Sequence, residues 1–583
     1  MEKKKQRMPY YKDPSVKYKR FVNPVKLSNR QWPSKALEKA PRWLATDLRD
    51  GNQSLPDPMS FEEKKIMLSK LCEIGFKEIE VAFPSASTVD FEFTQHAVKT
   101  VPDDVYIQVL SPCREELITK TVESLKGAKN AIVHIYLATS PCFRNVVFGK
   151  MTHEQCISKA VKCTELVRKL TKDDLQQQST NWTFEFSPET FSDSEPEFVI
   201  EICEAVKKAW EPSVENPIIF NLPATVEMST PNIYADQIEY FSTNISEREK
   251  VCISLHPHND RGCAVAAAEL AQMAGADRVE GCLFGNGERT GNVDLVTLAL
   301  NLYTQGIPPN LDFKDISSII DVVEKCNKIP VHPRAPYGGQ LVVCAFSGSH
   351  QDAIKKGFDQ YERQVAQAQK EQGPDAVVPW KLPYLPLDPQ DIGRTYEAII
   401  RVNSQSGKGG SSWVILKNLE LDLPRGLQIS FSKVVQHETE MVGRELKSKE
   451  LVELFETQYF VGSKSNAGVF KLVDYDFNRS QASCSLNVIL SSEGTQKEII
   501  GTGNGPISCF VNAINFAFDL DIDVQDYHEH SLGKDSNSKA ATYISVSRGN
   551  FLQWGVGIHE DVTEASFLSL ISCINGLKRS GNF

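Results

Sequence analysis

Val251-Cys252-Ile253-Ser254-Leu255-His256-Pro257-His258-Asn259-Asp260 reads as a short apolar strand whose far end turns abruptly polar. Ala264 to Met273 follows as an alanine-rich helix stopped at Gly275, and a second apolar run occupies Arg278 to Leu283. Small side chains on a crossover helix let it lie close on a sheet, so this segment predicts one unit of a parallel, helix-covered sheet.

The same alternation extends back to Trp43. Eight runs read as strands: Trp43 to Leu48, Lys77 to Ala82, Val105 to Leu110, Ala131 to Leu137, Trp182 to Ser187, Pro217 to Leu222, Val251 to His256 and Arg278 to Leu283. Between the first two, Ser60-Phe61-Glu62-Glu63 forms a capping-box pattern and Gly75 a stop, which bounds a helix. Eight strand–helix units predict an α/β fold, a (β/α)8 TIM barrel over residues 43–310, rather than the five or six strands of a doubly wound sheet. A helical connector is expected over 311–425, with helices at Ile316 to Cys326, Ala345 to Phe358 and Gln360 to Gln372 before a Pro-rich strip from Pro379 to Pro389. From 426 onward, strands at Gly426 to Phe431, Gly468 to Tyr475, Ala482 to Leu490, Glu498 to Gly501, Ala541 to Ser547 and Leu552 to Ile558 are interleaved with helices at Ser448 to Phe460, Ile507 to Phe518 and Glu564 to Leu577. Strands followed by a helix, twice over, predict a C-terminal α+β domain.

Composition bounds the function. The 583 residues are 41% hydrophobic and 24% charged, with 64 Lys plus Arg against 75 Asp plus Glu, a net charge of −11. A chain of that balance lacks the clustered cations a nucleic-acid binder needs. Apolar runs such as Ala264 to Ala268 and Leu341 to Phe346 fall far short of the ~20 residues that span a bilayer, so no membrane partner is expected. Fourteen cysteines without any CxxC spacing predict reduced thiols in a reducing compartment, the cytoplasm, with a mitochondrial location as the alternative. Residues 1–42 carry 13 Lys or Arg, including Lys3-Lys4-Lys5, against three acidic residues. Tyr and Pro content argues for a basic arm packed on the body or a neighbouring subunit rather than a transit peptide.

In such a barrel the functional side chains sit at the C-terminal strand ends. Polar residues gather there: Arg49-Asp50-Gly51-Asn52-Gln53 after the first strand, His134 and Tyr136 on the fourth, Ser187-Pro188-Glu189 after the fifth, Asn221 to Thr225 on the sixth, and His256-Pro257-His258 on the seventh. Arg-Asp is usually a solvated turn and a lone strand-end His a hydrogen-bonded structural residue; it is their agreement that points to a site. His256 and His258, two apart on a strand, face one side and suit two nitrogen ligands on a single cation. Asp50 supplies a carboxylate, and the set is compatible with zinc, manganese, magnesium or iron. Arg49 beside that cation would stabilise an oxyanion at a polarised carbonyl. Glu189 is a candidate proton-transfer group, and the hydroxyls of Ser187 and Thr225 suit a substrate carboxylate. Gly285 to Asn292 lacks a Lys-Ser/Thr, the Ser404 to Gly409 segment has Val402 where the first P-loop Gly belongs, and Gly501 to Pro506 lacks a third dinucleotide Gly, so no nucleotide cofactor is predicted.

Leu48-Arg49-Asp50-Gly51-Asn52-Gln53, His256-Pro257-His258-Asn259-Asp260, Gly285-Asn286-Gly287-Glu288-Arg289-Thr290-Gly291-Asn292 and Ser347-Gly348-Ser349-His350-Gln351-Asp352, in this order, resemble the α-isopropylmalate synthases of the long fungal and bacterial form. The resemblance runs from about Lys26 to the C-terminus. It implies a Claisen condensation of acetyl-CoA with 2-oxoisovalerate (3-methyl-2-oxobutanoate) that gives 2-isopropylmalate and CoA, the committed step of leucine synthesis, with leucine as feedback inhibitor. It implies a divalent metal (Zn, Mg or Mn) on Asp50, His256 and His258, with Asn292 as a weaker or water-mediated ligand. Arg49, Glu189, His350 and Tyr384 take catalytic roles in it, the last two contributed by the connector to the barrel mouth of a partner in a homodimer. Substrate contacts fall on Arg49, His134, Tyr136, Ser187, Asn221 and Thr225, and effector contacts on Gly505, Ile507, Ser508 and Tyr527 of a leucine-binding regulatory domain. Homocitrate and citramalate synthases share the barrel and metal motif; a metal-dependent acyl-CoA lyase, an iron oxygenase and a leucine-sensing binding protein are the rival classes.

Overall fold

The computed structural model describes residues 13–396, 408–461, 470–479, 484–492, 494–533 and 538–583. It divides into two compact units, Met1–Val342 with Asp391–Arg394, and Val343–Gln390 with Thr395–Phe583.

The first unit is the predicted barrel. Strands β1 (Arg42–Ala45), β2 (Glu78–Ala82), β3 (Tyr106–Pro112), β4 (Asn130–Ala138), β5 (Asn181–Glu189), β6 (Ile218–Ala224), β7 (Val251–Pro257) and β8 (Arg278–Gly281) pair in sequence order. All neighbours are parallel, and β8 closes on β1 with Trp43 opposite Val279. Helices α1 (Phe61–Ile74), α2 (Thr88–Thr100), α3 (Glu115–Ser124), α4 (His153–Leu170), α5 (Pro196–Trp210), α6 (Pro231–Asn244), α7 (Ala264–Met273) and α8 (Leu295–Tyr303) follow the strands in turn. Ser60 and Glu63 form the capping box of α1, and Gly75 ends it in the left-handed region at φ 105°. Ala264, Ala267, Ala268 and Ala271 form the buried face of α7.

Two features depart from the expected barrel. The first strand stops at Ala45, three residues short of Leu48, because Asp47–Gly51 winds into a π-helical turn. The N–H groups of Arg49, Asp50 and Gly51 all converge on the Thr46 carbonyl at 2.9–3.1 Å. Such turns concentrate at functional sites because they re-aim side chains that a regular element would alternate. The second departure concerns residues 311–342, assigned to the connector from sequence. Helix α9 (Ile316–Asn327) instead belongs to the barrel unit and packs on α1, burying Ile316, Ile319, Val323 and Cys326.

The arm preceding β1 straps onto α6. Arg30 makes a bidentate pair with Asp236 at 2.7 Å through Nε and Nη2, the Trp32 indole donates to the same carboxylate, and the Gln31 and Trp32 amides donate to Glu239. Lys3-Lys4-Lys5 lies outside the described residues.

In the second unit α10 (Gly348–Gln372) is one continuous helix where two were expected. Helices α11 (Lys408–Leu419), α12 (Arg425–Val442) and α13 (Ser448–Tyr459) follow. Gly426 to Phe431, read as a strand, is the first turn and a half of α12. Its buried Leu427, Phe431, Val435 and Thr439 recur every four residues, a helical period that a six-residue window cannot reveal. Two βββα repeats complete the chain. One is β9 (Lys471–Arg479), β10 (Cys484–Ser492), β11 (Thr495–Gly503) and α14 (Pro506–Phe518); the other is β12 (Asp523–Leu532), β13 (Lys539–Arg548), β14 (Phe551–His559) and α15 (Val562–Arg579). Each three-stranded antiparallel sheet has its middle strand second in sequence. Strand β12 was not anticipated: it is mostly solvated and carries Asp523, Asp526, His528 and His530. Gly468 and Val469, and likewise Ala482 and Ser483, predicted to open strands, lie outside the described residues.

Candidate active site

A cavity of about 270 Å3 opens at the C-terminal ends of the barrel strands. Its wall brings together ten of the residues selected from sequence: Arg49, Asp50, His134, Tyr136, Ser187, Glu189, Asn221, Thr225, His256 and His258. The π-turn supplies the first pair, and strands β4 to β7 the rest, with Thr225 and His258 one residue past the ends of β6 and β7.

Asp50, His256 and His258 are all buried, and one ligand atom from each falls within 4.8 Å of the others, a set able to hold a metal ion. Asp50 Oδ2 lies 3.2 Å from His256 Nε2 and 4.0 Å from His258 Nε2. On its other side, His256 Nδ1 meets Glu280 Oε2 at 3.0 Å. A carboxylate there fixes the tautomer and turns Nε2 toward Asp50, the arrangement that metal-ligating histidines use. Two buried acceptors next to the cluster, His258 Nδ1 and Asn292 Oδ1, have no hydrogen-bond partner among the described residues. Asn292 pairs with His258 in a β-bridge, and its Nδ2 is engaged with the Asn286 carbonyl and the Cys282 sulfur. Its carbonyl oxygen is thereby left as an oxygen donor. The residues present fit a divalent cation.

Electrostatics agree. Burial would raise Asp50, but Arg49, with His256 and His258, outweighs it and holds the carboxyl well below its ordinary value. Burial would lower His256, yet the Asp50 and Glu280 carboxylates raise it to about 9. His258, burdened by burial and by the charge on His256, falls to about 4. The pocket thus demands positive charge at one place, which a proton on His256 or a cation supplies.

Arg49 is buried, donating through Nη1 to Asp50 Oδ1 at 2.8 Å and through Nε to Glu80. Its Nη2 has no hydrogen bond among the described residues. Glu80 also contacts His134 Nδ1 at 2.9 Å and accepts from Gln108 at 2.7 Å, while His134 Nε2 lies 2.7 Å from Ser187 Oγ. This chain orients the Ser187 hydroxyl at the cavity wall. Thr225 Oγ1 accepts from the Thr190 amide at 2.9 Å, which directs its own O–H proton elsewhere. Glu189 is raised by burial, with Arg49 opposing. Asn221 donates to Glu280 at 3.2 Å.

Beneath the cavity lies a charged layer that was not singled out in the sequence. Arg278, fully buried, donates to Glu78 (2.7 Å), Glu185 (2.9 Å), Glu280 (2.6 Å) and Gln108 (2.7 Å). Burial, reinforced by Glu280, raises Glu185 well above the carboxylate range although Arg278 opposes it; Arg278 outweighs burial at Glu280 and holds it low. The available signal was the alternation itself. Glu78 and Glu80, or Arg278 and Glu280, stand two apart in otherwise apolar runs, so both members of each pair point into the barrel.

The loop after β8 closes the rim. Asn286 donates to the Gly51 carbonyl at 3.0 Å, tying it to the π-turn. Gly291 has φ 96°, and a Cβ there would lie 1.9 Å from the Gly285 carbonyl oxygen, so only glycine fits. Arg289 clamps Asp260 with two bonds of 2.7 and 3.0 Å and reaches the Thr225 carbonyl.

The remaining selected residues belong to the second unit. His350 opens α10 and stacks on Tyr384, ring centroids 4.0 Å apart. Gly505 caps α14, where Ser508 Oγ accepts from the Asn504 and Gly505 amides at 2.9 and 3.1 Å, with Ile507 between. Tyr527 sits on β12 in the other repeat, its hydroxyl donating to Glu529 at 2.5 Å.

A closed parallel barrel with a two-histidine, one-carboxylate cluster at its mouth defines the class, and the HMGL-like family profile matches residues 40–323. A profile described as alpha-isopropylmalate synthase, post-catalytic domain-like, matches 340–416, and the LeuA allosteric (dimerisation) domain matches 445–578. The chain is 60% identical to the 2-isopropylmalate synthase of Saccharomyces cerevisiae over 98% of its own length and 92% of that protein. Identity is 55% to the enzyme of that name from Schizosaccharomyces pombe (98% and 97%) and 51% to that from Thermobifida fusca (97% and 98%). The chain belongs to the 2-isopropylmalate synthase family.

Proposed function

We propose that this protein condenses acetyl-CoA with 3-methyl-2-oxobutanoate to give 2-isopropylmalate and CoA, and that leucine, the end product of that route, inhibits it. One observation carries the reading: Arg49 touches Asp50 of the metal cluster, so a cation and a guanidinium converge on one point of a cavity sized for a small acid. A bound divalent ion would be held by Asp50, His256 and His258, with Asn292 near, and would polarise the 2-oxo group; magnesium, manganese and zinc all suit that donor set.

The chain's own residues do the rest. Arg49 Nη2 donates to the oxygen that becomes an alkoxide as the carbon–carbon bond forms. Thr225 and Ser187 present hydroxyls to the substrate carboxylate. Glu189, whose carboxyl burial raises above its ordinary value against the pull of Arg49, exchanges a proton at the reacting end. His350 and Tyr384 are assigned their part in removing the acetyl methyl proton on the resemblance alone, and their stacked rings, centroids 4.0 Å apart, keep the two side chains together.

Selectivity follows from the wall. Phe83, Leu110 and Pro223 supply apolar surface for a branched side chain. Of the two guanidiniums at the cavity, Arg289 is clamped on Asp260 and Arg49, held by Asp50 and Glu80, has only Nη2 left for the 2-oxo oxygen, which disfavours the distal carboxylate of 2-oxoglutarate and hence homocitrate synthesis. No helix among the described residues is long and apolar enough to cross a membrane. Unpaired cysteines throughout suit the cytoplasm or the mitochondrial matrix. A thiol-release assay with acetyl-CoA and a panel of 2-oxo acids, with and without leucine, tests the reading: 3-methyl-2-oxobutanoate should give the highest kcat/KM and leucine should suppress it. Preference for pyruvate or 2-oxoglutarate would reject the substrate assignment.

A further inference from the structure

Beyond α9 the chain passes through Pro336-Tyr337-Gly338-Gly339 and leaves the barrel unit after Val342, yet one short piece of later sequence, Asp391–Arg394, belongs to the barrel unit again. That piece is anchored along its length. Ile392 is buried, and a Cβ on Gly393 would lie 2.3 Å from the Lys314 carbonyl oxygen, so the two backbones touch there. Arg394 donates through Nη1 to the Gly339 carbonyl at 2.8 Å and through Nη2 to the Gly338 carbonyl. Two successive carbonyls turned to one side match the fork of a guanidinium, which a lysine lacks.

The turn that Arg394 holds is tight and reaches the rim of the active site. The Gly338 and Gly339 amides donate to the Pro336 and Ala335 carbonyls at 2.6 and 2.8 Å, and the Tyr337 hydroxyl donates to Asn301 on α8 at 2.8 Å. Gly338 is pressed against the Phe284 ring, where an added Cβ would come 2.5 Å from Cε1. Phe284 leads into the loop after β8 and has φ 54°, a left-handed conformation that a bulky residue keeps only where its surroundings hold it. Two residues on, the Asn286 side chain donates to the Gly51 carbonyl of the π-turn, and its own carbonyl accepts from Asn292 Nδ2 at 3.2 Å. That last bond is the one that leaves Asn292 Oδ1 available to a cation.

We propose that Arg394 is a positioning residue for the metal cluster: by fixing Gly338 against Phe284 it holds the loop Gly285–Asn292 in the shape that brings Asn292 to the cation. The inference rests on the reading of Asp50, His256 and His258 as cation ligands. It makes residues 391–394, more than 100 positions along the chain from β8, part of what sets cation affinity. Without the two bonds from Arg394, the Gly338 turn can draw back from Phe284, the strained φ relaxes, and Asn286 and Asn292 lose their fixed places.

The test compares wild type, Arg394→Met, Arg394→Lys and Gly338→Ala as full-length, metal-stripped chains. Manganese affinity, measured by competition with a chelator, should fall about tenfold in Arg394→Met. Gly338→Ala, whose added methyl pushes Phe284 directly, should lose as much; Arg394→Lys, able to make one of the two bonds, should fall between. Amide hydrogen exchange without metal should quicken over residues 284–292 in Arg394→Met and Gly338→Ala, while α5, remote from the loop, exchanges as in wild type. Unchanged manganese affinity in Arg394→Met would overturn the proposal, as would exchange that quickens throughout the barrel, which would make Arg394 a general support of the fold. If wild type itself binds no manganese, it is the ligand reading that fails, and exchange over 284–292 then decides whether Arg394 holds the loop.

Discussion

His256 stands between two carboxylates, Asp50 on its Nε2 side and Glu280 on its Nδ1 side. Glu280 is the residue on which ligand geometry turns, because the same Oε2 also accepts from Asn221 at the substrate wall. Glu280→Gln keeps the shape but replaces a charged acceptor by a neutral amide; cation affinity, measured by competition with a chelator, should weaken about 10–100-fold. Asp47, the first residue of the π-turn, makes a different prediction. Burial raises it to about 7, with Asp294 adding to the effect and the Leu283 amide opposing it, and its Oδ2 has no partner among the described residues. Unfolded Asp ionises near 3.8, so between that value and about 7 the folded chain binds the extra proton and stability falls as pH rises, by about 4 kcal/mol in all. Denaturation curves should show Asp47→Asn losing that slope; an unchanged slope would place Asp47 ionised in the fold. The cluster of Asp50, His256 and His258 was legible in the sequence because these residues crowd strand ends, where polar residues have no packing reason to be. Glu80, Glu185, Arg278 and Glu280 were not, since each sits inside an apolar run and its partners come from strands up to 200 residues away.

Among the elements, the π-turn and the two βββα repeats carry most of the design. The turn puts Arg49 and Asp50 on the same cavity, which a regular strand, alternating its side chains, would not do. In each repeat the last strand carries a Gly-x-Gly, Gly501-Thr502-Gly503 on β11 and Gly555-Val556-Gly557 on β14. A Cβ at Gly501 would lie 2.1 Å from the Cys509 carbonyl oxygen of α14, and one at Gly557 would lie 1.9 Å from that of Ala565 on α15. Helix and strand backbones therefore touch, and the glycine motif dismissed as a nucleotide turn serves packing. Gly557→Ala should cost about 1–3 kcal/mol in chemical denaturation and weaken leucine inhibition while leaving cation affinity unchanged. The repeated pattern was readable from apolar periodicity. Strand β12 was not, because only its alternate, partly exposed residues bear on the core, and α12 was mistaken for a strand because its four-residue period exceeds the window of a short apolar run.

At the scale of the molecule, a catalytic barrel and a second unit matching the dimerisation domain are joined in one chain. Light scattering should give the mass of two 65.2 kDa chains. Ser508→Ala and Tyr527→Phe should weaken leucine inhibition without changing KM for the 2-oxo acid, whereas His350→Ala should lower kcat and leave the bound metal in place. The central claim is that Asp50, His256 and His258 hold the cation on which condensation depends. Metal-stripped protein titrated with manganese, with bound metal and CoA release from acetyl-CoA and 3-methyl-2-oxobutanoate measured on the same samples, tests it most directly. Release should rise in step with one ion per chain and be absent in His256→Ala, which should also lose tight binding; full release from stripped protein, or normal metal content and turnover in His256→Ala, would contradict the account.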